Sequence, residues 1–228
     1  MTKKVAILQS NYIPWKGYFD LINQVDAFVV YDEVQYTKND WRNRNIIKTK
    51  NGPLWLTIPV KQLNLNQKIH ETKVFQKNWN VKHWKTIKTY YGRSPFFKEY
   101  EEVFYETYMN IQTEYLSEIN LIFISLVNKI LGIDTEIIDS RTLQLNGDKN
   151  ERLIEAVKKV GGTSYLSGPA AQGYLQVDLF KQEGITVDWM DYSHYPEYQQ
   201  QHPPFTHRVS IIDLIFQIGG NNFKDLRA

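Results

Sequence analysis

The sequence predicts an α/β fold, an open and mostly parallel sheet with a helical lobe inserted in its middle. Three observations predict it. Short apolar runs at 5–8 and 27–31 are separated by about one short helix, as in a βαβ unit. Residues 79–131 carry helical spacing of apolar positions. Strand-like and helix-like segments alternate again from residue 135 onward. With 228 residues and 42% hydrophobic content, the chain is expected to form one compact domain over 1–228. A helical subregion at about 79–131 would pack on an α/β core made of 1–78 and 132–228.

VAIL at 5–8 is aliphatic and reads as a buried strand. Pro14 would interrupt a helix begun earlier, so 15–21 supplies the first turns of the helix that follows. AFVVY at 27–31 is the second strand and ends at Asp32 and Glu33. If these two strands are neighbours, 9–15 and 32–36 sit together at their carboxyl ends, where open α/β sheets hold ligands. WLTIPV at 55–60 is a strand whose Pro59 suits an edge or an end. Trp84, Ile87 and Tyr91 share a helix face until Gly92 and Pro95 break the run, and 100–130 supports one or two more helices. The glutamates of 98–118 read as a solvated helix face. A strand follows at 135–139, then a helix at 150–160 stopped by Gly161 and Gly162. Residues 163–166 and 185–190 read as strands, with 170–182 as a helix between them. Residues 209–218 form a last apolar helix, ended by Gly219 and Gly220.

Composition removes several classes of function. A formal charge of +2 gives no global reason to bind nucleic acid. The absence of cysteine excludes disulfides, thiolate nucleophiles and sulfur-rich zinc sites. The opening MTKKVAILQSN lacks the apolar length of a signal peptide, and LIFISLVNKIL at 121–131 is too short to span a bilayer. A cytoplasmic protein with no transmembrane segment is the expectation, and a homo-oligomer is compatible with it. His194, His202 and His207 lack the fixed helical spacing of a zinc site, so no metal site is expected, although one of them could act as a general base.

Chemistry-bearing residues gather in three segments. SNYIPWKGYFDLI follows the first strand with Gln9, Ser10, Asn11, Trp15, Lys16 and Gly17. Gly17 permits close backbone approach, and a helix start there could hold an anion. The alternative is a helix cap with Trp15 in the core. DEVQYTKNDWRNRNIIK interleaves Gln35, Tyr36, Trp41, Asn43 and Asn45 with Arg42 and Arg44. Guanidinium groups suit phosphate, amides read donors and acceptors, and an indole stacks on a planar ring. This segment reads as a loop that grips a phosphorylated small molecule, in preference to single-stranded nucleic acid, which the same groups would suit, or to a merely solvated basic loop. Asp32 and Glu33 are candidate acids, although adjacent residues on an extended chain point apart. His83 is either a packing residue or a base. The third segment brings Ser140, Arg141, Asp148, Arg152, Ser164, Tyr165, Ser167 and Gly168 near strand ends, as a ligand edge or as ordinary turns.

Six stretches, ILQSNYIPWKGYFDLI, DEVQYTKNDWRNRNIIK, GPLWLTIPV, WNVKHWKTIKTYYGRSPFF, GGTSYLSGPAAQGYL and RVSIIDLIFQIGG, resemble the WbqC-like family in order along nearly the whole chain. That resemblance implies a bacterial protein of surface-polysaccharide (O-antigen) synthesis. ILQSNYIPWKGYFDLI is also similar to the strand–loop–helix entry of pantoate ligases, and NGDKNERL with TSYLSG to a region further along them. This second likeness implies a Rossmann-like, nucleotidyltransferase-like sheet. Trp15 and Tyr18 stand where that entry has histidines, so the imidazoles that would steady a phosphoryl transition state are missing.

The expected function is modification of a nucleotide-linked amino sugar, by amide-forming acyl or aminoacyl transfer. Asp32 or His83 would take the amine proton, and Ser10, Asn11 or Ser167 would steady the oxyanion. Gln9, Trp15, Lys16, Gly17, Gln35, Tyr36, Trp41–Asn45, Ser140, Tyr165, Ser167 and Gly168 would bind substrate. The co-reactant would be an acyl donor, or ATP with Mg²⁺ under the alternatives of a ligase or nucleotidyltransferase. A noncatalytic nucleotide-sugar-binding protein is the third reading.

Overall fold

The computed structural model describes residues 2–227. In chain order the elements are β1 (Lys4–Leu8), α1 (Lys16–Asn23), β2 (Ala27–Val30), β3 (Arg44–Thr49), β4 (Gly52–Thr57), β5 (Val60–Lys61) and β6 (Lys73–Val74). Then come α2 (Trp79–Tyr91), α3 (Phe97–Met109), α4 (Leu116–Leu131), β7 (Glu136–Asp139), α5 (Lys149–Lys159), β8 (Ser164–Ser167), α6 (Val177–Gln182), β9 (Thr186–Trp189) and α7 (Ile211–Ile218). The result is an α/β fold with a parallel sheet and helical insertions. Two compact units form, one from Met1–Gln9, Gly17–Val34 and Ile133–His194, the other from Ser10–Lys16, Gln35–Gly132 and Tyr195–Ala228.

In the first unit, five parallel strands lie in the order β7-β2-β1-β8-β9. Counted along the chain, that is third-second-first-fourth-fifth. The sheet therefore reverses its direction of growth between β1 and β8. β1 pairs with β2 through Val5↔Ala27 to Leu8↔Val30, and the Tyr31 amide continues the ladder to the Leu8 carbonyl at 2.8 Å. Strand alternation explains the packing: Val5, Ile7, Val29 and Tyr31 join Leu153, Val157, Tyr165 and Phe180 in one buried cluster. Phe28, on the opposite face, meets the Tyr18 ring of α1 at 5.5 Å.

α5 begins at a reciprocal cap. Asp148 accepts from the Asn150 and Glu151 amides, and the Glu151 carboxylate accepts from the Asp148 amide. Gly147 makes this turn at φ +94°, where a Cβ would sit 2.4 Å from that carboxylate.

The second unit contains the β3–β4 hairpin, the β5–β6 pair and helices α2, α3, α4 and α7. Its core is aromatic: Phe97 and Phe104 pack on Phe216 at 5.0 and 5.2 Å, and Tyr108 on Phe123 at 4.7 Å. α4 ends at Gly132 with φ +65°, the left-handed stop that glycine adopts without a Cβ clash.

Three expectations need correction. Residues 44–49, read as part of a ligand-gripping loop, form β3, paired residue for residue with β4 from Arg44↔Thr57 to Thr49↔Gly52. Their polar composition hid the strand, because Asn45 and Lys48 are buried with partners supplied by the fold. The strand expected at 55–60 splits at Pro59 into the end of β4 and the start of β5. Residues 170–182 are not one helix, since a 3₁₀ turn at Pro169–Gly173 precedes the short α6.

Candidate functional site

The first unit holds a cavity of about 350 Å³ at the carboxyl end of its sheet. Leu8 and Gln9 at the end of β1 line one side, Ser167 and Gly168 at the end of β8 the other. The cavity thus opens where the sheet reverses, the position at which open α/β sheets leave a crevice. Tyr31, Lys149, Arg152, Tyr165 and Tyr174 complete the polar part of the wall. Arg152 lies 3.8 Å from the Glu33 carboxylate and 5.5 Å from the centroid of the Tyr31 ring. Its Nε is buried without a hydrogen-bond partner. Ser140 donates to the second Glu33 oxygen at 2.8 Å. Lys149 stands over the Tyr174 ring at 3.2 Å. Burial raises the Tyr165 phenol to about 12, so it stays protonated at neutral pH. Ser167 donates to the Tyr165 oxygen at 3.4 Å.

The second unit holds a cavity of about 430 Å³ lined by Asn11, Pro14, Trp15, Trp41, Asn45, His207 and Arg208. Its shape depends on a strained loop. Ile13 has φ +35°, a conformation disfavoured for a β-branched side chain and for any residue before proline. Asn45 donates to the Tyr12 and Ile13 carbonyls at 3.1 and 2.9 Å, and Ser210 donates to Ile13 at 2.7 Å. The Ile211 amide donates to the Pro14 carbonyl at 2.9 Å. These bonds overdetermine a backbone that costs about 1–3 kcal/mol to hold. His207 has a buried Nδ1 with no partner. Burial, then the nearby Lys16 charge, lowers its pKa, against a smaller opposing effect of Glu197.

The other sequence-derived candidates fall as follows. Within the first unit, Gln9, Tyr165, Ser167 and Gly168 share the first cavity. Ser140 supports Glu33. Asp32 is buried just after β2, and Gly17 is buried in the first turn of α1; neither lines that cavity.

Within the second unit, Asn11, Trp15, Trp41 and Asn45 share a cavity, but Arg42 and Arg44 do not line it. Arg42 donates to Asn11 Oδ1 and lies 3.8 Å from Asp40, whereas Arg44 bonds the Asn39 carbonyl and stacks on Trp55 at 4.1 Å. Both guanidinium groups have protein partners, although the Arg44 Nε is buried without one. Asn43 donates to the Ile58 carbonyl at 2.9 Å, and Gln35 to the Leu65 carbonyl. Tyr36 is buried, which pushes its phenol up to about 12. Ser10 is fully buried and accepts from Asn120 at 3.0 Å.

Lys16 is also buried, caged by the Tyr195, Tyr198 and Phe205 rings at 4.7, 5.4 and 5.8 Å. That burial lowers its ammonium to about 8. His83 uses both nitrogens, one toward Tyr12 Oη at 2.9 Å and one toward the Thr57 carbonyl at 3.2 Å. Burial holds it down to about 4, which makes it a core residue rather than an accessible base.

Sequence reasoning missed Tyr31, Lys149 and Tyr174 in one cavity and Pro14 and Arg208 in the other. Tyr31 was legible as the end of a strand, and Lys149 as the residue after a helix cap. Tyr174 and Arg208 carry no local signal. Among the described residues no cluster of His, Asp or Glu could hold a metal, and no helix is long and apolar enough to cross a membrane.

A parallel sheet that reverses growth at a polar, arginine-lined crevice places the protein among open-sheet α/β folds. The chain belongs to the WbqC-like protein family, whose profile matches residues 9–225. It is 42% identical over 218 residues to Rv1507c, an uncharacterized protein of Mycobacterium tuberculosis, covering 95% of this chain and 94% of that one. No solved structure matches.

Proposed function

We propose that the protein is a transferase of surface-polysaccharide synthesis that modifies a nucleotide-linked amino sugar by forming an amide. The nucleotide end would occupy the first unit's cavity, in a sheet of Rossmann-like order. One observation supports this reading: Arg152 lines the crevice at the reversal between β1 and β8, and its buried Nε has no hydrogen-bond partner. A buried guanidinium N–H without an acceptor is costly, and a diphosphate oxygen is the acceptor it fits best. The tyrosines of the wall supply faces on which a base or sugar can rest.

In the transfer, the sugar amine would attack the carbonyl of a thioester donor. A C–N bond forms, the C–S bond breaks, and the proton lost by nitrogen ends on the departing thiolate. Ser167, at the cavity wall, would donate to the tetrahedral oxyanion. Asp32 follows the lining residue Tyr31 but does not line the cavity, so the proton would pass to the thiolate without it. His83 is left out of the chemistry because both its nitrogens are occupied.

The test is incubation of the protein with nucleotide-linked amino sugars and acyl or aminoacyl thioesters, followed by mass spectrometry. The expected product is the sugar nucleotide heavier by one acyl group. In calorimetry, Arg152→Met should weaken sugar-nucleotide binding at least about tenfold, a change of about 1.4 kcal/mol. Release of pyrophosphate from ATP would replace this reading with a ligase or nucleotidyltransferase. Binding with no product from any donor would leave a sugar-nucleotide-binding protein, and unchanged affinity in Arg152→Met would remove the site.

A further inference from the structure

The cavity of the second unit is left unused by that reading, and its lining has its own chemistry. Trp15 and Trp41 provide indole faces, and Trp41 is 42% exposed even though its ring lies 5.4 Å from that of Trp55. Asn11 and His207 bring hydrogen-bonding groups, and the buried Nδ1 of His207 lacks a partner. No carboxylate lines the cavity, whereas Arg208 does, and Arg42 donates directly to the lining Asn11. At His207 the Lys16 charge acts more strongly than the opposing charge of Glu197. The cavity's volume of about 430 Å³ lies within the range of small-molecule sites, about 300–1,000 Å³.

We propose that this cavity binds a pyranose ring bearing an acidic group. The C–H face of the ring would lie on the indoles, its hydroxyls would bond Asn11 and His207, and its acid would face Arg208. The strained Ile13 backbone fits this role. Asn45 and Ser210 hold Asn11–Trp15 in a conformation the loop would not adopt alone, so the wall is formed before the ligand arrives. A carboxylate and a phosphate satisfy the same guanidinium, so both sources are tested.

The proposal does not depend on the nucleotide reading, because its residues all belong to the second unit and its sugar probes carry no nucleotide, uridine monophosphate serving as the control. Saturation-transfer NMR on the full chain, with glucuronate, glucose 6-phosphate, glucose and uridine monophosphate, gives the measurement. Transfer to the ring protons of glucuronate or glucose 6-phosphate is expected, with glucose at least about tenfold weaker. A carboxylate source is indicated if glucuronate gives the stronger signal, a phosphate source if glucose 6-phosphate does. Trp41→Ala, at an exposed position that should not unfold the chain, and His207→Gln should each abolish the signal. Absence of transfer from both acidic sugars at millimolar concentration overturns the proposal. So does signal that survives both substitutions, or equal signal from uridine monophosphate that the same substitutions remove.

Discussion

The two cavities differ in what puts their walls in place. In the first unit, strand order does most of the work: parallel pairing delivers Gln9 and Ser167 to the same end of the sheet whatever their side chains. In the second unit, the wall is a loop held by single side chains distant in sequence. Ser210 reaches Ile13 across 197 residues, and Asn45 reaches it across 32. A site placed by topology tolerates the loss of one hydrogen bond, whereas a site placed by a few bonds to a strained turn does not. Each prediction below presses on that difference.

The largest effect is expected at Asn45. Replacement by Leu removes the donor to the Tyr12 and Ile13 carbonyls and the acceptor for the Ile46 amide. The Ile13 carbonyl keeps Ser210 as donor, so two groups lose their partner, and at about 1–3 kcal/mol each the loss should be about 2–6 kcal/mol, read from urea unfolding. The acidic-sugar signal should disappear under conditions where the chain remains folded. A loss below about 1 kcal/mol would mean that the loop holds itself, and the contrast between the cavities would fail.

Acid should strike the same loop from behind. His83 bonds Tyr12, which in turn lies 2.6 Å from Tyr108 Oη in the aromatic core. Burial lowers the His83 pKa from 6.5 to about 4, so the unfolded chain binds the proton more readily than the folded one. Its contribution is therefore fully present above about pH 6.5 and is lost as pH falls toward 4. The shift corresponds to about 3 kcal/mol at about 1.4 kcal/mol per pH unit. Unfolding free energies at pH 7 and pH 4.5 check this, and His83→Gln should flatten much of the slope. An equal slope in that variant would assign the acid sensitivity to carboxylates elsewhere.

The same contrast explains what the sequence disclosed. The runs VAIL and AFVVY have the length and β-branched content of buried strands, and their order put Gln9 at the carboxyl end of the sheet, where it lines the first cavity. Strand and helix periodicity is local, so it can be read from a single chain. Asn43, Asn45 and Lys48 misled because a polar residue that satisfies the fold looks identical in sequence to one that binds a ligand. Asn45 serves two carbonyls of the Tyr12–Ile13 turn, and Lys48 donates to Gln200 at 2.6 Å. Nothing near Asn45 announces a partner 32 residues away. Arg44 misled in the same manner, since its stacking on Trp55 depends on the β3–β4 register.

The smallest effect is expected where topology already fixes the wall. Ser140 donates to one Glu33 oxygen, and Arg152 lies 3.8 Å from the other. Ser140→Ala should cost no more than about 1 kcal/mol of stability, because the strand ends that carry the cavity are untouched. Its informative effect is on binding. Without the serine, Glu33 should turn more fully toward Arg152 and compete with an incoming phosphate. Sugar-nucleotide affinity should then fall about two- to fivefold, while Glu33→Gln, which removes the competing charge, should raise it by a similar factor. Calorimetry on the two variants gives opposite signs if Glu33 restrains Arg152. The same sign in both would mean that Glu33 instead holds the guanidinium in its binding position.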